Sequence, residues 1–231
     1  MRLTFALATI LVASTLSIVS TQQLPSAVAP PSARFDFEVR SDFFAGFAGD
    51  TARFEKAMRR CAEVLAQNPK HAEALVWHGS GLIAQAGMLM RKGEVPKGME
   101  LWKKGLEEMN GAVALEPNNV GVRIPRGASL FQATRHVPPH QASPLLQMAI
   151  SDYEHTLMLQ KSTFAGLSDH AKGELLFGLA DGWSRAGDPV KARAYFMKLN
   201  EEAPTSGRVA YSTAWLDGKP PAEVGPCTGC H

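Results

Sequence analysis

The sequence predicts an all-α protein, a repeat array of helical hairpins set after an N-terminal export segment, and three observations carry that prediction. Apolar residues recur at steps of three and four, as in Leu176, Leu179, Ala180 and Trp183, the spacing that gathers side chains on one face of a helix. Clusters of Gly, Asp, Asn and Pro divide these stretches into pairs. The second members of the pairs end near Pro69, Pro117, Lys161 and Pro204, at intervals of 48, 44 and 43 residues, so the pairs repeat.

The chain opens with Arg2 and an uncharged, mostly apolar run from Leu3 to Val19, the short positive end and apolar centre of a secretory signal. The run is slightly short of the roughly 20 residues that span a bilayer, which favours export with removal over an uncleaved anchor; Ala27-Val28-Ala29 is a small-x-small site, but Pro30 behind it is a poor neighbour for a cut, so the sequence does not fix the cleavage point. A periplasmic or secreted protein is expected, with membrane attachment only if the segment stays. Residues 22–33 are rich in Pro, Ser and Ala and read as a flexible lead-in, so 1–33 stands apart from a helical domain over 34–216 and an extended tail over 217–231. At 45% hydrophobic and 20% charged the composition is globular, and a net charge of +2 is too small to predict nucleic acid or acidic lipid as a partner.

The hairpins follow in order. From Asp50, Phe54, Ala57, Met58, Cys61 and Leu65 share one face of a helix that ends at Asn68-Pro69. Its partner lies around Phe43, Phe44 and Phe47, where Gly46 and Gly49 weaken a helix, so an irregular first unit is expected. His71 to Gly93 reads as the first helix of the next pair. After the turn at Lys92-Gly93-Glu94, Pro96 starts a second helix striped by Met99, Trp102, Leu106, Met109 and Val113, a face expected to be buried. In the third pair Ile124, Leu130 and Phe131 supply the first member, which Pro125 should kink or delay. Pro138-Pro139 separate it from a second member striped by Leu146, Ile150, Tyr153 and Leu157.

The last pair, Gly173 to Ser206, is the most regular. Gly187 suits a helix stop, Asp188 a cap and Pro189 a first helical position, after which Ala192, Phe196 and Leu199 share a face and Pro204 closes the unit. Leu176, Leu179, Ala180, Trp183, Ala192, Phe196 and Pro204 resemble a tetratricopeptide repeat in order and spacing, with Leu176 in place of the usual Trp and Leu199 in place of an Ala. Trp77, Gly81 and Ala84 fill the corresponding bulky, small and closing positions of the second pair, with Ser80 for the usual Leu. The resemblance implies an α-solenoid of about three and a half expanded hairpins that presents a groove to a protein or peptide. In such an array each hairpin touches only its neighbours; in a compact bundle, the alternative, the first and last helices meet. A short helix over 206–218 offers Val209, Tyr211 and Trp215 to cap the last hairpin.

The chain's last five residues, Cys227-Thr228-Gly229-Cys230-His231, resemble the C-x-x-C-H attachment signature of c-type cytochromes. That resemblance implies covalent haem c, with Cys227 and Cys230 as thioether donors, His231 as the proximal ligand to iron, and a redox partner. An exported disulfide between the two thiols and a metal-binding tail are the other readings of the same residues. His155, His170 and Met197 are available as a sixth ligand, and the sequence does not choose among them. Cys61, on an apolar face, reads as a small buried hydrophobe.

Arg123, Arg126 and Arg135, with His136 and His140 nearby, form the one local basic cluster. It reads either as a solvated face paired with carboxylates or as a site for an anion or a peptide carboxylate. His71, His78, His155 and His170 lack partners in metal-binding order, and Glu107 and Glu108 fall on a solvated face by their phase against Leu106 and Met109. There is no G-x-x-x-x-G-K-[ST] loop, G-x-S-x-G elbow or H-E-x-x-H motif, and no residue set supports a hydrolase or a transferase, so a non-enzymatic role is expected.

Overall fold

A computed structural model describes residues 34–220. Among them nine α-helices form four hairpins and one closing helix: α1 (Asp36–Phe47) with α2 (Thr51–Gln67), α3 (Ala72–Arg91) with α4 (Val95–Leu115), α5 (Val120–Ala133) with α6 (Pro139–Leu159), α7 (Asp169–Arg185) with α8 (Pro189–Glu202), and then α9 (Val209–Leu216). Every extensive contact is within a hairpin or between consecutive ones. This is the packing of a helical repeat array and not of a closed bundle. The second helices end at Gln67, Leu115, Leu159 and Glu202, each two residues before the terminator expected from the sequence.

Local chemistry sets the helix ends. Asp50, Asn119, Ser168 and Asp188 each accept a backbone N–H of the first turn, and His71 does so through Nδ1, at 3.2 Å from the Ala74 nitrogen. Gly93 and Gly187 turn the chain at φ +85° and +84°, a left-handed conformation costly for any other residue. The last hairpin packs as the spacing predicts: Leu176, Leu179, Ala180, Ala192, Phe196 and Leu199 are all fully buried.

Three expectations are corrected. The first unit is a regular hairpin, because Gly46 sits where α1 meets α2: a Cβ there would lie 2.5 Å from that of Phe54. Pro125 does not delay α5, which starts at Val120 and runs through the proline to Ala133. Only one backbone hydrogen bond is forgone there, while Val122, Leu130 and Phe131 are buried. The stripe on α4 is buried only in its second half, with Met109 and Val113 in the core and Met99 exposed.

The α3–α4 hairpin uses a further device. Ala72, Gly79 and Ala86 on α3, and Gly98, Gly105 and Ala112 on α4, recur every seven residues and are all buried. The backbones approach so closely that a Cβ on Gly79 would stand 2.7 Å from the Gly105 carbonyl oxygen, and one on Gly105 2.7 Å from that of Gly79. Gly98 meets the Ala86 carbonyl in the same antiparallel register, which places Ala72 opposite Ala112.

Candidate functional site

The array closes on α9, from which the chain leads to its cysteine-bearing tail. The helix lies where the first helix of another hairpin would stand. Ser212 is fully buried and donates to the Phe196 carbonyl at 3.0 Å, Trp215 Nε1 donates to Ser184 Oγ at 3.2 Å, and the Trp215 and Phe196 rings lie 4.8 Å apart. Tyr211 meets Phe177 edge-on at 5.0 Å, so Tyr211 and Trp215 cap the last hairpin as expected. Gly218, at φ +70°, ends the helix, with the Lys219 N–H donating back to the Ala214 carbonyl. Cys227, Cys230 and His231 lie outside the described residues. Six residues lie between Pro220 and Cys227, and the seven residue steps span at most about 25 Å.

Cys61 is fully buried on α2, and burial, with the Glu108 carboxylate adding to it, pushes its thiol up to about 12. The protonated thiol is neither a nucleophile nor a metal ligand at neutral pH. Thiol chemistry in this chain of three cysteines therefore falls to Cys227 and Cys230. Among the described residues no group of three or more His, Cys, Asp and Glu side chains is placed to hold a metal ion.

The three arginines of the basic cluster do not share one site. Arg126, 8% exposed, grips Asp152 with two bonds of 2.7 Å from Nε and Nη2, and its Nη1 donates to Asn110 of α4 at 3.0 Å. Arg123 Nη1 donates to Asp152 Oδ1 at 2.8 Å. Asp152 is fully buried on α6, so this pairing with a carboxylate is interior and not the solvated face expected. Arg135 reaches α7 instead, donating to Asp181 Oδ2 at 2.6 Å, and its side chain is 37% exposed. Arg185 completes that second cluster: it stands 3.4 Å from Asp181 and donates to Thr134 Oγ1 and the Phe131 carbonyl, locking the end of α5 to α7.

Glu108 is also corrected. Its carboxylate lies 2.6 Å from His78 Nδ1, with both side chains about seven-eighths buried, whereas Glu107 is exposed as its phase implied. Leu106 and Met109 flank Glu108 on the apolar stripe, but the small-residue seam turns Glu108 toward α3. A further interior junction escaped the sequence reading. Glu73 of α3 accepts from the Asp36 backbone N–H at 3.1 Å and from Asn119 Nδ2 at 3.2 Å, tying together the starts of α1, α3 and α5. Burial holds the Asp36 carboxyl above the usual range, against the opposing pull of Arg34.

Of the candidate sixth ligands, His155 Nε2 lies 2.9 Å from Asn118 Oδ1, and burial and the neighbouring Arg123 both disfavour its protonation. His170 is exposed at the start of α7. Met197 is 55% exposed on α8, one turn from Arg193, whose guanidinium reaches the Leu216 carbonyl at 3.5 Å.

No protein-family model matches the chain. No curated protein matches it either.

Proposed function

We propose that the chain is an exported, non-enzymatic scaffold of tetratricopeptide type that binds a protein partner on its helical array and carries haem c on its tail, docking the group for electron transfer. The observation that carries this reading is Cys227-Thr228-Gly229-Cys230-His231, which holds two of the chain's three cysteines. The donor set fits: Cys227 and Cys230 would form the two thioethers and His231 would face the iron. When bound, haem supplies one-electron exchange. The other residues present the tail. Tyr211 and Trp215 seal the last hairpin, Gly218 ends α9, and the fully buried Cys61 cannot divert either tail thiol into a mixed disulfide. Burial of Leu176, Leu179, Ala180, Ala192 and Phe196 at their repeat positions supports the tetratricopeptide likeness. Of the three arginines, Arg135 alone is exposed enough to meet a partner's carboxylate.

Expression in a bacterial host that matures c-type cytochromes tests the haem. A red protein with a Soret band and one added haem mass is expected, and Cys227→Ser with Cys230→Ser should abolish both. A colourless wild-type product would refute the reading, and a mass two hydrogens short would identify a disulfide instead.

A further inference from the structure

Met197 stands at the lip of the crevice between α8 and α9. Arg193, Met197 and Asn200 recur at steps of four and three and so share one flank of α8. The outer two of them reach α9: Arg193 Nη1 donates to the Leu216 carbonyl at 3.5 Å, and Asn200 Nδ2 to Thr213 Oγ1 at 3.3 Å. Met197 lies between these two bonds, about 6 Å along the helix from Arg193, and its side chain is 55% exposed. Val190, 78% exposed, and Ala194, also exposed, continue from it at steps of three and four, so an apolar strip runs along the lip.

The tail begins beside this strip. Gly218 ends α9 and the Lys219 N–H folds back on the Ala214 carbonyl, which keeps the chain near the Arg193 end of the crevice as it leaves the helix. The seven steps from Pro220 to Cys227 reach up to about 25 Å, against the single turn of about 6 Å from Arg193 to Met197. The two histidines stand elsewhere. Arg208 bonds Glu174 near the start of α7 and Trp215 bonds Ser184 near its end, so α9 runs parallel to α7 and the tail leaves at the C-terminal end of both. His170 is therefore about 20 Å away along α7. His155 turns its Nε2 to Asn118, in the turn before α5, on the side of the preceding hairpin. The Met197 sulfur is a soft, neutral donor that can bind haem iron without losing a proton. The strip beside it offers apolar cover to a macrocycle, and Arg193 a cation for its carboxylates.

We propose that the α8–α9 flank is the docking face for haem on this chain's own tail, with Met197 as the second axial donor to an iron held by His231; the inference rests on the haem reading above. The full chain is expressed in a host that matures c-type cytochromes, as wild type, Met197→Ala and Met197→His. The ferric wild type is expected to be low-spin and to show the weak far-red absorption band of methionine bound to ferric haem. Met197→Ala, at an exposed position, should keep its helicity and its added haem mass while that band disappears and the reduction potential falls. Added imidazole should bind this variant about tenfold more tightly, since a donor in place for about nine-tenths of the molecules leaves only the remainder open. Met197→His should restore the low-spin spectrum without the band. Met158→Ala, at a position 58% exposed on α6, should leave the band, the potential and the imidazole affinity as they are. A haem-bearing wild type that lacks the methionine band, or a band that survives in Met197→Ala, would overturn the inference and leave haem attachment standing. A wild-type product without haem would overturn the haem reading, and this inference with it.

Discussion

Gly105→Ala gives the most direct test of how the second hairpin is built, because two physical effects predict opposite signs. In an exposed helix interior, replacing Gly by Ala stabilises by about 1 kcal/mol through backbone entropy alone. At Gly105, however, the new methyl would stand 2.7 Å from the Gly79 carbonyl oxygen and 3.0 and 3.1 Å from Ile83 Cγ1 and Cδ1. The first obstacle is helix backbone, which can yield only if α3 and α4 move apart and loosen the seam from Ala72 to Ala86. Overpacking of this kind costs about 1–3 kcal/mol, and a rigid obstacle argues for the upper part of that range. The net expectation is destabilisation by about 1–2 kcal/mol after the propensity gain is subtracted. Gly111→Ala on the same helix is the control: nothing stands within 4 Å of its Cβ position, so it should stabilise by about 0.5–1 kcal/mol. Urea unfolding followed by circular dichroism reads both free energies, and in thermal melts the two variants should fall on opposite sides of the wild type, by about 2–4 °C for each kcal/mol in a chain of this size. A Gly105→Ala protein as stable as Gly111→Ala would refute the close approach. Gly79→Ala should act like Gly105→Ala, and the double variant should cost less than the sum because both methyls open the same crossing.

Two further predictions concern buried groups. Asp152→Ala leaves Arg123 and Arg126 side by side in the interior without their carboxylate, and the loss should be about 3–5 kcal/mol in urea unfolding; replacement with little effect would show that water reaches the pair. Cys61, its thiol pushed up to about 12 and fully buried, should resist iodoacetamide at pH 8 in the folded protein and react on unfolding, with mass spectrometry locating the label; native alkylation at Cys61 would refute the burial.

The fold was legible where neighbouring residues in sequence decide it. Gly187, Asp188 and Pro189 stop, cap and restart a helix by their own backbone and side-chain chemistry, and the structure ends and begins helices there. Where contacts between helices decide, the same residue types mislead. Gly46 has low helix propensity in isolation, yet at the α1–α2 crossing only a glycine fits against Phe54. Pro125 breaks a helix that has little else to hold it; in α5 the burial of Val122, Leu130 and Phe131 outweighs one missing hydrogen bond. The heptads of Ala72, Gly79 and Ala86 and of Gly98, Gly105 and Ala112 were present in the sequence. They escape a search for large apolar residues because their contribution is the side chain that is absent.

The interior ion pairs were illegible for a related reason. Arg126 and Asp152 lie 26 residues apart and Arg135 and Asp181 46 apart, and nothing local links the members of either pair. From sequence the arginines looked like one cluster because they are close along the chain. Folding separates them, since α5 turns Arg123 and Arg126 toward its own hairpin partner while Arg135, past its end, reaches the next hairpin.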